Sequence, residues 1–120
     1  MKTNYLLVAL LSILMFTVSC SKNGAEPQIV FTNNIAEGQA NSAGEYTITG
    51  HMDSEEQLDY VTLTKQGEAN PFLIDESTAK NKTQYDFSYL ITGITANTTI
   101  VIKIYDQEGQ AVTANFLIRK

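Results

Sequence analysis

The sequence predicts an all-β domain over residues 28–120, built as a seven-stranded antiparallel sandwich. The first observation behind this is that apolar and polar residues alternate throughout the region, as in strands that bury one face. The second is that turn-forming residues separate these runs at spacings of about 8–14 residues. A parallel sheet is excluded because its crossover helices would have no room in so short a chain.

The seven predicted strands occupy residues 28–32, 45–53, 58–65, 71–75, 84–92, 98–105 and 111–119. Residues 33–44, rich in Asn, Gly, Ala and Ser, are predicted to form a loop. Two strands carry the strongest apolar faces, which consist of Tyr85, Phe87, Tyr89 and Ile91, and of Ile100, Ile102 and Ile104. The chain has one cysteine and therefore no intramolecular disulfide, so these two faces are expected to supply most of the core.

The last two predicted strands form a hairpin whose register follows from its turn. Asp106 suits the first position of a type I turn, and Gly109 suits the left-handed position after it. A three-residue loop then pairs residue 106 with residue 110. The core pairs that follow are Ile104 with Val112, Ile102 with Ala114 and Ile100 with Phe116. A slip by one residue would turn this whole apolar face outward.

Two stretches of the chain resemble bacterial Ig-like domains. The run Ile100–Gly109, with alternating aliphatic residues and then Asp-x-x-Gly, is similar to their last hairpin. Tyr46–Gly50, followed by a polar loop and Leu58–Leu63, is similar to an earlier pair of strands. The resemblance implies an Ig-like β-sandwich of the kind found in Bacteroidota lipoproteins, as spacers, adhesion modules or parts of glycan-handling systems. It names no family with a known activity, and a fold alone transfers no function.

The N-terminal segment is predicted to be a signal peptide over residues 1–19. Lys2 precedes a run from Tyr5 to Val18 that is apolar except for one serine and one threonine, and this run is too short for a membrane span. The sequence Phe16-Thr-Val-Ser-Cys20 resembles a lipobox, although threonine replaces the usual aliphatic residue. The resemblance implies cleavage before Cys20 and a diacylglycerol on its thiol, with no other cofactor. Residues 20–27 would form the lipidated tether.

The charge of the chain bears on its partners and location. The formal net charge is −5, and no cluster of Lys and Arg is present, so neither nucleic acid nor anionic lipid is an expected partner. The chain is expected to attach to the membrane through its lipid instead. Other envelope proteins or glycans are its expected partners. The residue after Cys20 is Ser21 and not the Asp that favours retention in the inner membrane. The outer membrane is therefore the predicted location within the cell envelope.

Catalytic patterns are missing from the sequence, which predicts a non-enzymatic binding or structural module. His51 is the only histidine, and no nucleophile motif accompanies it. There is no Gly-rich phosphate loop, no HExxH pattern and no paired-cysteine metal site.

One candidate binding surface consists of aromatic residues. The alternation places Tyr60 and Tyr105 on the outward faces of the third and sixth predicted strands, with Lys103 beside them. These strands are neighbours in Ig-like sheets, so the two rings are expected to lie close together. Aromatic rings with polar neighbours suit a sugar or a protein partner.

A second candidate surface consists of carboxylates in three loops, which are Asp53, Glu55 and Glu56, Asp75 and Glu76, and Asp106 and Glu108. In an Ig-like topology these loops share one end of the sandwich, the end at which the first strand begins. No metal site is predicted, because acidic loops are usually solvated and Asp106 is explained by its turn. The alternative is a small calcium-binding adhesion module, or an envelope enzyme or inhibitor, that uses this end.

Overall fold

The computed structural model describes residues 26–120. The predicted signal peptide, Cys20 and most of the tether lie outside these residues. The eight strands are β1 (Gln28–Phe31), β2 (Glu37–Gln39), β3 (Tyr46–Asp53), β4 (Leu58–Lys65), β5 (Leu73–Asp75), β6 (Gln84–Ile91), β7 (Thr98–Asp106) and β8 (Ala111–Arg119). One 3-10 turn spans Thr32–Asn34. Within residues 26–120, no helix is long and apolar enough to span a bilayer.

The strands form two sheets, which confirms the predicted all-β, Ig-like sandwich. Sheet A has the order β1-β3-β6, and sheet B has the order β2-β8-β7-β4-β5. The neighbouring strands are antiparallel except for β2, which runs parallel to β8. The predicted count of seven strands and the purely antiparallel arrangement are therefore wrong.

The strand that the sequence prediction missed is β2, which lies inside the predicted loop 33–44. Its residues, Glu-Gly-Gln, have neither apolar alternation nor strand-favouring side chains. The strand is positioned by tertiary contacts: a Cβ on Gly38 would lie 2.3 Å from the ring of Tyr46, so only glycine lets this ring pack against the backbone. Arg119 and Glu37 form an ion pair across the β2–β8 pairing, at 2.9 Å.

The core lies between the sheets and consists of the predicted faces. Ile100, Ile102 and Ile104 are completely buried, and Phe87 and Ile91 of β6 are nearly so. Other fully buried side chains come from both sheets, namely Ile48, Met52, Leu58, Val61, Leu63 and Ile118. Because no disulfide crosslinks the sheets, burial of this apolar surface is the main source of stability, at about 25 cal/mol per Å².

The last hairpin has the register that its turn predicts. Ile104 lies opposite Val112, and the pairs that follow along β7 and β8 match those expected from the sequence. Asp106 donates its N–H to the carbonyl of Gln110 at 2.9 Å, and its Oδ1 accepts the N–H groups of Glu108 and Gln110. Gly109 has φ +86°, as the left-handed position requires. The turn residues thus determine which face of β8 enters the core.

Gly50 leaves no room for a side chain between β1 and β6 in sheet A. It faces the core on β3, opposite Phe31 of β1. A Cβ at this position would lie 2.4 Å from the carbonyl oxygen of Val30 and 2.6 Å from the ring of Phe87. The backbone oxygen cannot move away without breaking the β1–β3 pairing, so glycine is required here.

Candidate functional site

The two candidate tyrosines are brought together on the outer face of sheet B. Tyr60 of β4 lies opposite Tyr105 of β7, and their rings stack with centroids 4.2 Å apart and planes inclined by 15°. Both side chains are half-buried. Such an aromatic pair contributes about 0.5–1.5 kcal/mol beyond its area burial, so the two rings hold one another in place.

Lys103 completes this group, which we call the tyrosine face (Tyr60, Lys103 and Tyr105). Its Nζ lies 5.2 Å from the centroid of the Tyr105 ring. Among residues 26–120, Lys103 has no carboxylate partner, whereas Lys80 and Arg119 each form an ion pair. Partial loss of hydration and the adjacent Tyr105 raise the pKa of the Tyr60 hydroxyl above its ordinary value.

Exposed apolar side chains continue the tyrosine face towards the edge of sheet B. Ile74 of β5 lies opposite Thr62, which in turn lies opposite Lys103. Ile74 is 54% exposed and Phe72, just before β5, is 41% exposed. The sequence did not identify these two residues as part of a binding surface. The predicted strand that contains them is short, and so short an alternation does not show which of its faces is buried.

The three acidic loops lie at one end of the sandwich, as predicted. Gln28, the first residue of β1, pairs with Asp53, and Leu58 pairs with Asp106. The loop after β5 reaches the same end, because the N–H of Leu58 donates to the carbonyl oxygen of Lys82 at 2.8 Å. The chain therefore enters β1 at the acidic end.

The carboxylates at this end are not gathered around one point. Within residues 26–120, no three His, Cys, Asp or Glu side chains come close enough to hold a metal ion. Asp106 is buried in its turn, while Asp53, Glu55 and Glu108 are exposed and Glu56 is half-buried.

Asp75 ties the two sheets together. Its carboxylate accepts the N–H groups of Ser77 and Thr78, the hydroxyl of Thr78, and the hydroxyl of Tyr89 from sheet A at 2.7 Å. Partial burial opposes ionisation, but hydrogen bonds from Thr78, Tyr89 and Ser77 outweigh it and hold the pKa of Asp75 below its ordinary value. Burial and this carboxylate in turn raise the pKa of Tyr89. Asp75 is thus a structural residue.

We expect Asp75→Asn to lower the free energy of unfolding by about 1–3 kcal/mol at pH 7, because charge-assisted hydrogen bonds are lost. The folded-state pKa of Asp75 lies below its unfolded value, so its stabilisation is complete above about pH 4 and is lost as the pH falls through the folded-state pKa. Urea unfolding at pH 7 and pH 3 should therefore show a smaller difference between variant and wild type at pH 3. Glu76→Gln, an exposed neighbour, is the control and should match wild type; an equal loss for both variants would contradict this role.

His51 has a partner that the sequence prediction did not name. Its Nδ1 lies 2.7 Å from Oδ1 of Asp86, on the outer face of sheet A. In a catalytic triad, a carboxylate orients a histidine that activates a hydroxyl or thiol nucleophile. In the described part of the chain no hydroxyl or thiol hydrogen-bonds to His51. The pair is a cross-strand contact between β3 and β6.

Comparison with known proteins shows the fold. No protein-family model and no curated protein sequence matches the chain. Among solved structures, it is similar to the fibronectin(III)-like modules of CbhA from Clostridium thermocellum, with a TM-score of 0.55 and 17% sequence identity over 82% of this chain. The match covers 48% of that structure, so the chain spans about half its length. The protein is therefore a fibronectin III-like, Ig-like β-sandwich, and no enzyme family is found for it.

Proposed function

We propose that this chain is a lipid-anchored, non-enzymatic binding module of the bacterial cell envelope, and that its tyrosine face contacts a glycan or protein partner. The observation that carries the proposal is the stacked pair of Tyr60 and Tyr105, with Lys103 beside it and the exposed Ile74 in the neighbouring row. Aromatic and cationic groups together suit binding surfaces, where a few rigid side chains supply most of the affinity.

The way in which the pair is stacked limits what it can bind. Tyr60 covers one face of the Tyr105 ring, and Lys103 lies over the same ring. A ligand therefore meets a composite surface of ring, hydroxyl and ammonium groups instead of a bare aromatic plane. This combination favours a partner that offers both apolar surface and hydrogen-bond acceptors, such as a sugar with a carboxylate or a polypeptide with acidic residues.

The position of the tether supports a role for a sheet face. The chain enters β1 at the acidic end, and a tether from Cys20 to Pro27 reaches at most about 30 Å when extended. On this proposal the acidic loops lie nearest the bilayer, where their charge disfavours contact with anionic headgroups. The faces of the sheets then remain accessible to partners. The calcium-binding or enzymatic alternative has no comparable support, because Asp75 bonds to its own loop and to Tyr89, and Asp106 bonds within its turn.

The test replaces Tyr60 and Tyr105 together by Ser in the full chain. We expect at least a tenfold loss of the proteins captured by crosslinking in the native envelope, or of retention on purified envelope polysaccharide, because both rings of the contact are removed. Thermal melting should show that the variant remains folded, since both side chains lie on the outer face.

The control for this test neutralises Asp53, Glu55 and Glu56 as Asn and Gln. This triple variant should keep every partner. If it loses a partner that the tyrosine variant keeps, then the acidic end is the binding surface and the proposed site is wrong.

A further inference from the structure

One side of the sandwich is open between the two sheets. On this side β1 is the edge of sheet A, and the first part of β8 lies at the edge of sheet B. A groove of about 590 Å³ runs between the two strands, lined in part by Ile29, Val112 and Ala114. Val112 and Ala114 face the core but are only half-buried, since nothing in residues 26–120 covers them from the side.

The unpaired part of β8 is able to accept another strand. Within residues 26–120, β2 covers only Leu117–Arg119 of this edge. Leu117 donates its N–H to the carbonyl of Ala36 at 3.0 Å, so the odd-numbered residues of β8 direct their backbone groups away from β7. Because this direction alternates along a strand, Thr113 and Asn115 also present N–H and C=O groups to the open edge.

Charge distinguishes this edge from the other sheet edges. Natural sheets protect exposed edges with charged side chains, and β2, β5 and β6 carry Glu37, Asp75 and Asp86. Residues 111–116 of β8 carry no charge, and neither does β1, although Glu26, just before β1, lines one end of the groove. In an acidic chain, the uncharged strands are thus gathered on one side of the molecule, next to the exposed Val30.

We propose that two copies of this chain associate through this edge, with residues 111–115 of β8 paired antiparallel to the same residues of the second copy. In this pairing the side chains of the two strands alternate in step, so Val112 and Ala114 of both copies lie on the core side of the sheet. Each copy then places these two small side chains over the groove of the other, against Ile29. Sheet B becomes continuous across the pair.

A second copy is the occupant that the groove favours. The groove suits a strand with small apolar residues at alternate positions and unpaired backbone groups, and residues 111–115 meet both requirements. The interface is the same on both sides of a twofold axis, so association stops at two copies.

The test uses the full chain in its native membrane, with a single cysteine introduced by Ala111→Cys, Thr113→Cys or Asn115→Cys. Mild oxidation should join two chains into a species of twice the monomer mass, at a position near the twofold axis. Thr47→Cys is the matched control, because Thr47 is an exposed outward-facing residue on the central strand of sheet A. It should give at least tenfold less of this species.

A second variant separates pairing from chance collision. Thr113→Pro removes an N–H that points away from β7, so it leaves the β7–β8 bonds intact while it blocks addition of a strand. Because residue 111 of one copy lies opposite residue 115 of the other, Thr113→Pro is added to Ala111→Cys chains and to Asn115→Cys chains, and the two are mixed. Crosslinking between them should then fall at least fivefold without a change in the β-type circular dichroism. The proposal is overturned by equal crosslinking at Thr47→Cys, by no product at any β8 position, or by a product whose mass includes a different protein.

Discussion

Cys20→Ser should abolish lipid attachment and leave the precursor uncut. The lipobox resemblance implies that the lipid is attached to the Cys20 thiol as a thioether, and a serine hydroxyl is a poor substitute for that thiol. The resemblance also implies that cleavage requires the lipid. Growth with an alkyne-tagged fatty acid should label the wild type and give no label in the variant. Intact mass should distinguish the lipidated chain that begins at Cys20 from the uncut precursor.

Ser21→Ala is the matched control for this experiment, since it changes the next residue and keeps the thiol. It should be labelled and cleaved like the wild type. Persistent labelling of Cys20→Ser would refute the proposed lipid anchor, and with it the proposed orientation of the domain towards the bilayer. On the proposed function, two acyl chains would hold the protein stably on a membrane, which one chain does not.

Ile102→Ala should lower the free energy of unfolding by about 2–5 kcal/mol, because it leaves a cavity at the centre of the core. Ile102 is completely buried on the central part of β7, between Leu63 of β4 and Ala114 of β8. The loss is a large fraction of the about 5–15 kcal/mol that stabilises a typical domain. Urea unfolding of a fragment from Gly24 to Lys120 should show it as a lower midpoint with an unchanged slope.

Val101→Ala on the same strand is the control for the core truncation. Val101 points to the outer face and is half-buried, so its loss should cost less than about 1 kcal/mol. Equal costs for the two variants would mean that the two faces of β7 had been assigned wrongly. A helical circular dichroism spectrum of the fragment would contradict the fold itself.

Much of the fold could be predicted because its signals are local. The β7–β8 hairpin is the clearest example: Asp106 and Gly109 specify the turn, and the turn specifies the register of every pair beyond it. The proximity of Tyr60 and Tyr105 was also predictable, since alternation indicates the outward face and the Ig-like resemblance indicates the neighbouring strand.

The candidate site was predictable only in part. The sequence shows Tyr60, Lys103 and Tyr105 as outward residues, but the angle between the rings depends on how β4 and β7 twist against each other. Ile74 lies on this surface because β5 pairs with β4, and the sequence does not show that pairing. Asp75 appeared in the sequence as one more loop carboxylate, yet it bonds across the sandwich to Tyr89. Contacts of this kind join residues whose separation along the chain carries no pattern.

The sequence by itself determined the class of fold, the faces of the long strands and the last hairpin, because alternation and turn chemistry act over a few residues. Only the tertiary structure decided that Glu37–Gln39 is a strand, since the ring of Tyr46 over Gly38 and the bonds to β8 hold it in place. It also decided that, within residues 26–120, β2 pairs with only the last part of the β8 edge. Whether a backbone group is paired depends on what lies beside it, and no local pattern carries that information.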